Sequence, residues 1–209
     1  MAEPLPTPQD VPAHRIHGLS DGIFAIVMTL LVLELRVPEQ AGELAQAARE
    51  AHFAADLAAL LPRLIVYAFT FLIAGVSWLS HTHFQSSVLR TDRRLAFLNI
   101  LYLMLVSLLP FTSALIGEHG DTALGVAVYA VNQVLIAAAF LWMLAHAVSG
   151  GLMRPGWANE RLGQRALVNA LVFTVMALLA FAAKPLAWYT PFALILLHPL
   201  LGRVMRRPW

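Results

Sequence analysis

Six apolar stretches run along the chain at about 16–37, 57–86, 94–116, 122–148, 163–183 and 186–204, each closed by polar or helix-breaking residues. A helix needs about 20 apolar residues to cross a bilayer, so each stretch predicts a transmembrane helix. Pro38 follows the first, Gly117 to Asp121 separates the third from the fourth, and Gly150, Gly151, Pro155 and Gly156 end the fourth. Lys184 and Pro185 divide the fifth from the sixth, where Pro191 predicts a kink and Pro199 an end. Residues 39–56 differ: alanines alternate with Glu39, Glu43, Arg49, Glu50 and Asp56, predicting a short helix outside the bilayer. The expected fold is all-α, a polytopic integral membrane protein with six transmembrane helices.

Composition agrees with that pattern. Only 12% of the 209 residues are charged and 59% are apolar; a soluble domain carries about 25% charged residues. Six spans leave room only for short loops, so residues 1–15 read as a cytosolic N-terminal tail and 16–206 as one transmembrane domain. The first residues hold Glu3, Asp10 and four prolines rather than a basic n-region, which argues against a signal peptide. The absence of cysteine excludes disulfides, iron–sulfur clusters and thiolate metal sites. The net charge of +2 is no nucleic-acid signature, because most of the arginines sit in short segments between apolar runs.

Those arginines orient the chain. With the N-terminus in the cytosol, Arg15, Arg90, Arg93, Arg94, Arg154, Arg161, Arg165, Arg203, Arg206 and Arg207 are cytosolic. Arg36, Arg49, Arg63 and Lys184 fall at the other side, and ten against four supports both termini inside. Glu34, Glu39, Glu43, Glu50, Asp56, Glu118 and Asp121 gather outside. They would concentrate cations at a pore mouth, or simply reflect loops with no selection against acids.

The first span is anomalous. Between Asp21 and Glu34 lie twelve uncharged residues, Gly22 to Leu33, which as a helix reach only about 18 Å against a hydrocarbon core of about 30 Å. A carboxylate held at that depth costs a few kcal/mol if it faces lipid, so this helix should face protein or water. Ile26, Leu30 and Leu33 form one stripe at i, i+4 and i+7, with Thr29 at its edge. Every face of the helix is apolar, so spacing alone leaves a lipid-facing stripe open.

Other chemistry finds little support. His81 and His83 point about 200° apart on a helix and cannot share a metal. His14 and His17 could share a face, but no third ligand is near. His146 and His198 read as interfacial, and Asn132, Gln133 and Asn169 as interhelical hydrogen-bonding groups. No Walker loop, dinucleotide fingerprint or spaced nucleophile–base pair occurs, so an enzyme is not expected. On residue types alone, Trp78 suits an interfacial belt and His81 a lone polar residue near a helix end. The alternative is that both turn toward Asp21, an acceptor that a buried indole donor could satisfy.

Arg15-Ile-His-Gly-Leu-Ser20-Asp21-Gly22 resembles the RxxxFSDG signature that opens the first helix of the transmembrane protein 175 family, endosomal and lysosomal potassium channels with bacterial relatives. Leu19 replaces the phenylalanine. The resemblance continues through Val32–Pro38, Trp78-Leu-Ser-His81, Asn99 and Pro110-Phe111, in order across the first half of the chain. It implies a bacterial inner-membrane protein of one six-helix repeat, assembled as a homotetramer whose first helices line the pore. It further implies a constriction at Ile26, Leu30 and Leu33 beside Thr29, and a structural network of Arg15, Ser20, Asp21, Trp78 and His81. Potassium and other monovalent cations would be the permeant species and the lipid bilayer the surroundings, with no cofactor and no nucleic acid. No Thr-Val-Gly-Tyr-Gly loop is present, so the expected gate is a hydrophobic one that dewets when narrow. A secondary transporter is the competing expectation, although the inverted repeats it requires are not visible.

Overall fold

In the computed structural model, residues 12–37, 46–154, 160–183, 187 and 190 are described. Among the described residues seven helices follow one another: α1 (Ala13–Leu30), α2 (Gln46–Ala59), α3 (Leu61–Ser87), α4 (Arg93–Ser107), α5 (Leu109–His119), α6 (Ala123–Ser149) and α7 (Glu160–Ala182). A 3₁₀ turn, Leu31–Glu34, prolongs α1. Five segments of the described residues are long and apolar enough to cross a membrane: Ala13–Glu34, Ala48–Ser87, Arg93–His119, Ala123–Ser149 and Gly163–Ala182. The sixth expected span, 186–204, lies almost wholly outside the described residues, as do Pro191 and Pro199.

Two boundaries depart from the hydropathy reading. The third span is split at Leu108, because Pro110 has no N–H to give the carbonyl four residues back. Pro110 therefore opens α5 rather than standing near a helix end. The short helix expected outside the bilayer over 39–56 is described from Gln46 and runs almost directly into the second span, with only Leu60 between α2 and α3, and its residues from Ala48 belong to the apolar segment Ala48–Ser87.

Helix α6 is the hub, packing on α4, α5 and α7, while α1 lies against α3 and α4. Its heart is a group of rings from four helices. His81 of α3 stacks on Tyr102 of α4 at 4.9 Å and 5°, Phe24 of α1 closes on both, and Phe140 of α6 meets Tyr102 at 6.0 Å. A second core lies nearer the opposite end, where Tyr129 of α6 meets Phe173 of α7 edge-on among Val66, Ile116 and Met176. There Thr70 and Tyr129 share a hydrogen bond of 3.1 Å, and Asn132 donates to Thr112 at 3.4 Å, linking α3, α5 and α6.

The loops at the arginine-rich end are tied together. Val88 and Met153 form an antiparallel bridge, with Leu89 N–H donating to Leu152 O and Arg154 N–H to Ser87 O. Beside it Asp92 caps α4, accepting from Leu95 N–H at 2.7 Å, and meets His146 Nε2 of α6 at 3.0 Å. Burial pushes the Asp92 carboxyl up, but the Leu95 N–H and His146 outweigh it and hold the group below its usual range. The residue expected to be merely interfacial, His146, thus fastens α6 to the start of α4.

Candidate pore helix and its polar anchor

Helix α1 has two unlike faces. Ser20, Phe24, Val27 and Leu31, at i, i+4, i+7 and i+11, are buried against the rest of the chain. On the opposite side Ile26, Leu30 and Leu33 are 55%, 41% and 69% exposed, and Thr29 is exposed beside them. The stripe singled out by spacing is therefore the side of α1 that its own chain leaves uncovered. Thr29 Oγ1 donates its proton to Ile26 O at 2.8 Å. That bond commits the hydroxyl hydrogen and leaves the oxygen lone pairs for an electron-poor partner.

The buried face is anchored by polar contacts as well as by packing. Ser20 Oγ donates to Ile16 O at 2.9 Å and accepts from Gln85 Nε2 at 3.0 Å and Asn99 Nδ2 at 3.2 Å. One hydroxyl thus uses its whole bonding capacity to hold α1, α3 and α4 together. Asn99 Oδ1 in turn accepts from His81 Nε2 at 2.8 Å. With Nε2 carrying the proton, His81 Nδ1 is an acceptor, and it is buried without a partner among the described residues. Ser20, His81, Asn99 and Gln85 are all buried.

Asp21 belongs to a separate contact. Trp78 Nε1 donates to Asp21 Oδ1 at 2.9 Å, at the exposed edge of the α1–α3 contact. Of the five residues expected in one network, Trp78 and Asp21 meet, whereas Ser20 and His81 are joined through Asn99. Arg15 is exposed and makes no side-chain bond among the described residues. Gln85 was not anticipated. The signal was available, since it lies at i+4 from His81 and i+7 from Trp78 on one face of α3.

At the far end of α1, Glu34 shares a shallow crevice with Arg63 and Tyr67 of α3 and Glu118 of α5. Arg63 and Glu118 stand 3.9 Å apart, and both are partly exposed. No group of three or more His, Asp or Glu able to hold a metal occurs among the described residues.

Comparison with known proteins places this arrangement in context. A family model described as the endosomal/lysosomal potassium channel TMEM175 matches residues 15–110, which run from Arg15 through Pro110. A potassium channel of Streptomyces collinus is 33% identical over 182 residues, covering 82% of this chain and 84% of that one. A potassium channel of Chamaesiphon minutus is 34% identical over 162 residues, covering 76% and 73%. The crystal structure of a lysosomal potassium-selective channel TMEM175 homolog from Chamaesiphon minutus superposes with a TM-score of 0.73 at 28% identity, covering 90% of this chain and 96% of that chain.

Proposed function

The chain belongs to the TMEM175 family, and from that premise we propose that it is a potassium-permeable cation channel whose pore is lined by α1. The reading has four copies of one six-helix unit, residues 16–206, arranged about a central axis in a bacterial inner membrane with both termini in the cytosol. Ile26, Leu30 and Leu33 then form stacked apolar rings that exclude water when narrow and admit it when slightly wider. Thr29 supplies a ring of hydroxyl oxygens to replace water lost by a passing cation. Arg15, Ser20, Asp21, Trp78 and His81 hold α1 in place rather than touch the ion.

The observation that carries this reading is the division of α1. Its buried face is fixed to α3 and α4 by bonds that exhaust Ser20, so the helix is held in one rotation about its own axis. That rotation leaves Ile26, Thr29, Leu30 and Leu33 as a column without cover from their own chain. The Thr29 hydroxyl bond, with its lone pairs unspent, suits a cation rather than an anion.

Ile26→Asn tests it. A polar amide at the constriction eases ion entry and weakens discrimination, so the potassium-to-sodium permeability ratio, read as a reversal potential in planar bilayers, falls. An unchanged ratio removes Ile26 from the constriction. Resolvable single-channel steps distinguish this function from coupled, saturating transport.

A further inference from the structure

Arg165 lies two residues inside the apolar segment Gly163–Ala182. A guanidinium keeps its charge at any accessible pH and needs an acceptor when drawn toward hydrocarbon. Among the described residues Arg165 has no ion pair and no hydrogen bond. It opens onto a shallow crevice between α3, α4, α6 and α7, lined also by Ser77, Ser80 and Asn169. None of these three side chains makes a hydrogen bond among the described residues either.

A further group points to a ligand. Tyr102, only 1% exposed as a residue, lines the same crevice, and its hydroxyl makes no hydrogen bond among the described residues. One cation and four potential hydrogen-bond donors, none with a partner among the described residues, therefore surround one space. That set fits an oxyanion, and an arginine fork matches phosphate oxygens in particular.

Depth selects the source of the phosphate. Helix α3 has 27 residues, about 40 Å, which exceeds the hydrocarbon core by about 10 Å. Ser80 lies seven residues from the end of α3 at Ser87, about 10 Å along the axis, which with the overhang shared between both ends is about 5 Å inside the hydrocarbon boundary. The same end of the bundle carries Arg90, Arg93, Arg94 and Arg154 around the bridged loops. Val76, exposed on α3, continues the crevice as an apolar wall. A free ion would leave water to enter such a site, whereas a lipid phosphate already resides just beyond that boundary. Basic pockets between transmembrane helices recognise anionic headgroups in this way.

We propose that Arg165, with Ser77, Ser80, Asn169 and Tyr102, holds the phosphate of an anionic glycerophospholipid from the leaflet at the arginine-rich end. The site lies apart from the Ile26–Leu33 column and does not depend on its role in conduction.

Native mass spectrometry of the full-length protein in detergent, titrated with phosphatidylglycerol, tests this. The unmodified protein retains the lipid. Arg165→Gln weakens retention about tenfold or more, the effect of losing a charge-assisted hydrogen bond. Ser80→Val, which removes one neutral donor, weakens it about two- to fivefold and serves should the arginine variant not fold. Arg154→Gln, at the same end but outside the crevice, retains lipid as before. Equal retention by Arg165→Gln, or by Ser80→Val in the event that Arg165→Gln does not fold, overturns the proposal. Displacement of the lipid by millimolar inorganic phosphate would assign the site to a free anion and overturn it equally. So would loss of subunit association in Arg165→Gln with lipid retention per subunit unchanged, which would make the crevice a contact between copies.

Discussion

Replacing Asn99 with leucine isolates the anchor of α1 from its packing, because leucine approximates the volume and removes only the amide. The substitution breaks two bonds, from His81 Nε2 at 2.8 Å and to Ser20 Oγ at 3.2 Å. They are not worth the same. Ser20 still donates to Ile16 O and accepts from Gln85, so losing a second donor costs about 0.5 kcal/mol, near the average for an interhelical bond in a membrane. His81 has no other hydrogen-bond partner among the described residues, where its Nδ1 is already buried alone. Stranding the whole ring costs about 1–2 kcal/mol, the range for a buried unsatisfied group. The expected destabilisation is about 2 kcal/mol, read from reversible SDS unfolding in mixed micelles by circular dichroism. A double-mutant cycle with His81→Phe, which keeps a ring against Tyr102, assigns the loss. In that background Asn99→Leu should cost only the Ser20 share, giving a coupling energy of about 1–2 kcal/mol. A coupling below about 0.3 kcal/mol would refute the reasoning and reduce the His81–Asn99 contact to simple proximity.

Two further substitutions complement the Ile26→Asn and Arg165→Gln experiments. Trp78→Phe keeps the ring and removes the indole donor to Asp21; because the pair is partly exposed, thermal unfolding should show a loss of only about 0.5–1 kcal/mol, and an unchanged midpoint would dismiss the bond as a contributor. Asp92→Ala removes the α4 cap and the His146 contact together, a loss of about 1–2 kcal/mol at neutral pH. Since the folded Asp92 carboxyl sits below its usual range, its contribution is complete above the unfolded value near pH 4 and vanishes as pH falls through the lower folded value. Unfolding curves of the parent and Asp92→Ala should therefore converge at acid pH, and a constant gap would show that the carboxylate charge is irrelevant.

Hydropathy locates five spans to within a few residues, because a run of apolar residues broken by Gly, Pro or charge has one comfortable solution in a bilayer. It does not show the break at Leu108. Pro110 sits inside an unbroken apolar run, and its effect is a lost backbone bond rather than a change of polarity. The uncovered side of α1 coincides with the Ile26–Leu30–Leu33 spacing, although composition could not say which face packs, since both are greasy. Pairing within the anchor was the least legible part. Ser20 and Asp21 are neighbours in sequence but about 100° apart around the helix, so one turns inward and the other to the edge. Trp78 and His81 at i and i+3 differ by about 60°, enough to divide them between those two acceptors. Asn99 as the link between Ser20 and His81 required knowing how α4 rotates against α1 and α3, which no single-helix pattern contains.

The 3₁₀ turn that ends α1 has a geometric consequence. Each step in such a turn advances about 120° and about 2.0 Å, instead of about 100° and 1.5 Å, so residues three apart eclipse one another. Leu33 lies within this turn and so sits almost directly beyond Leu30 along the helix axis rather than about 60° to one side. The two leucines are also set about 6 Å apart instead of about 4.5 Å. What a helical wheel draws as a staggered arc is a short straight file, each side chain in the shadow of the next.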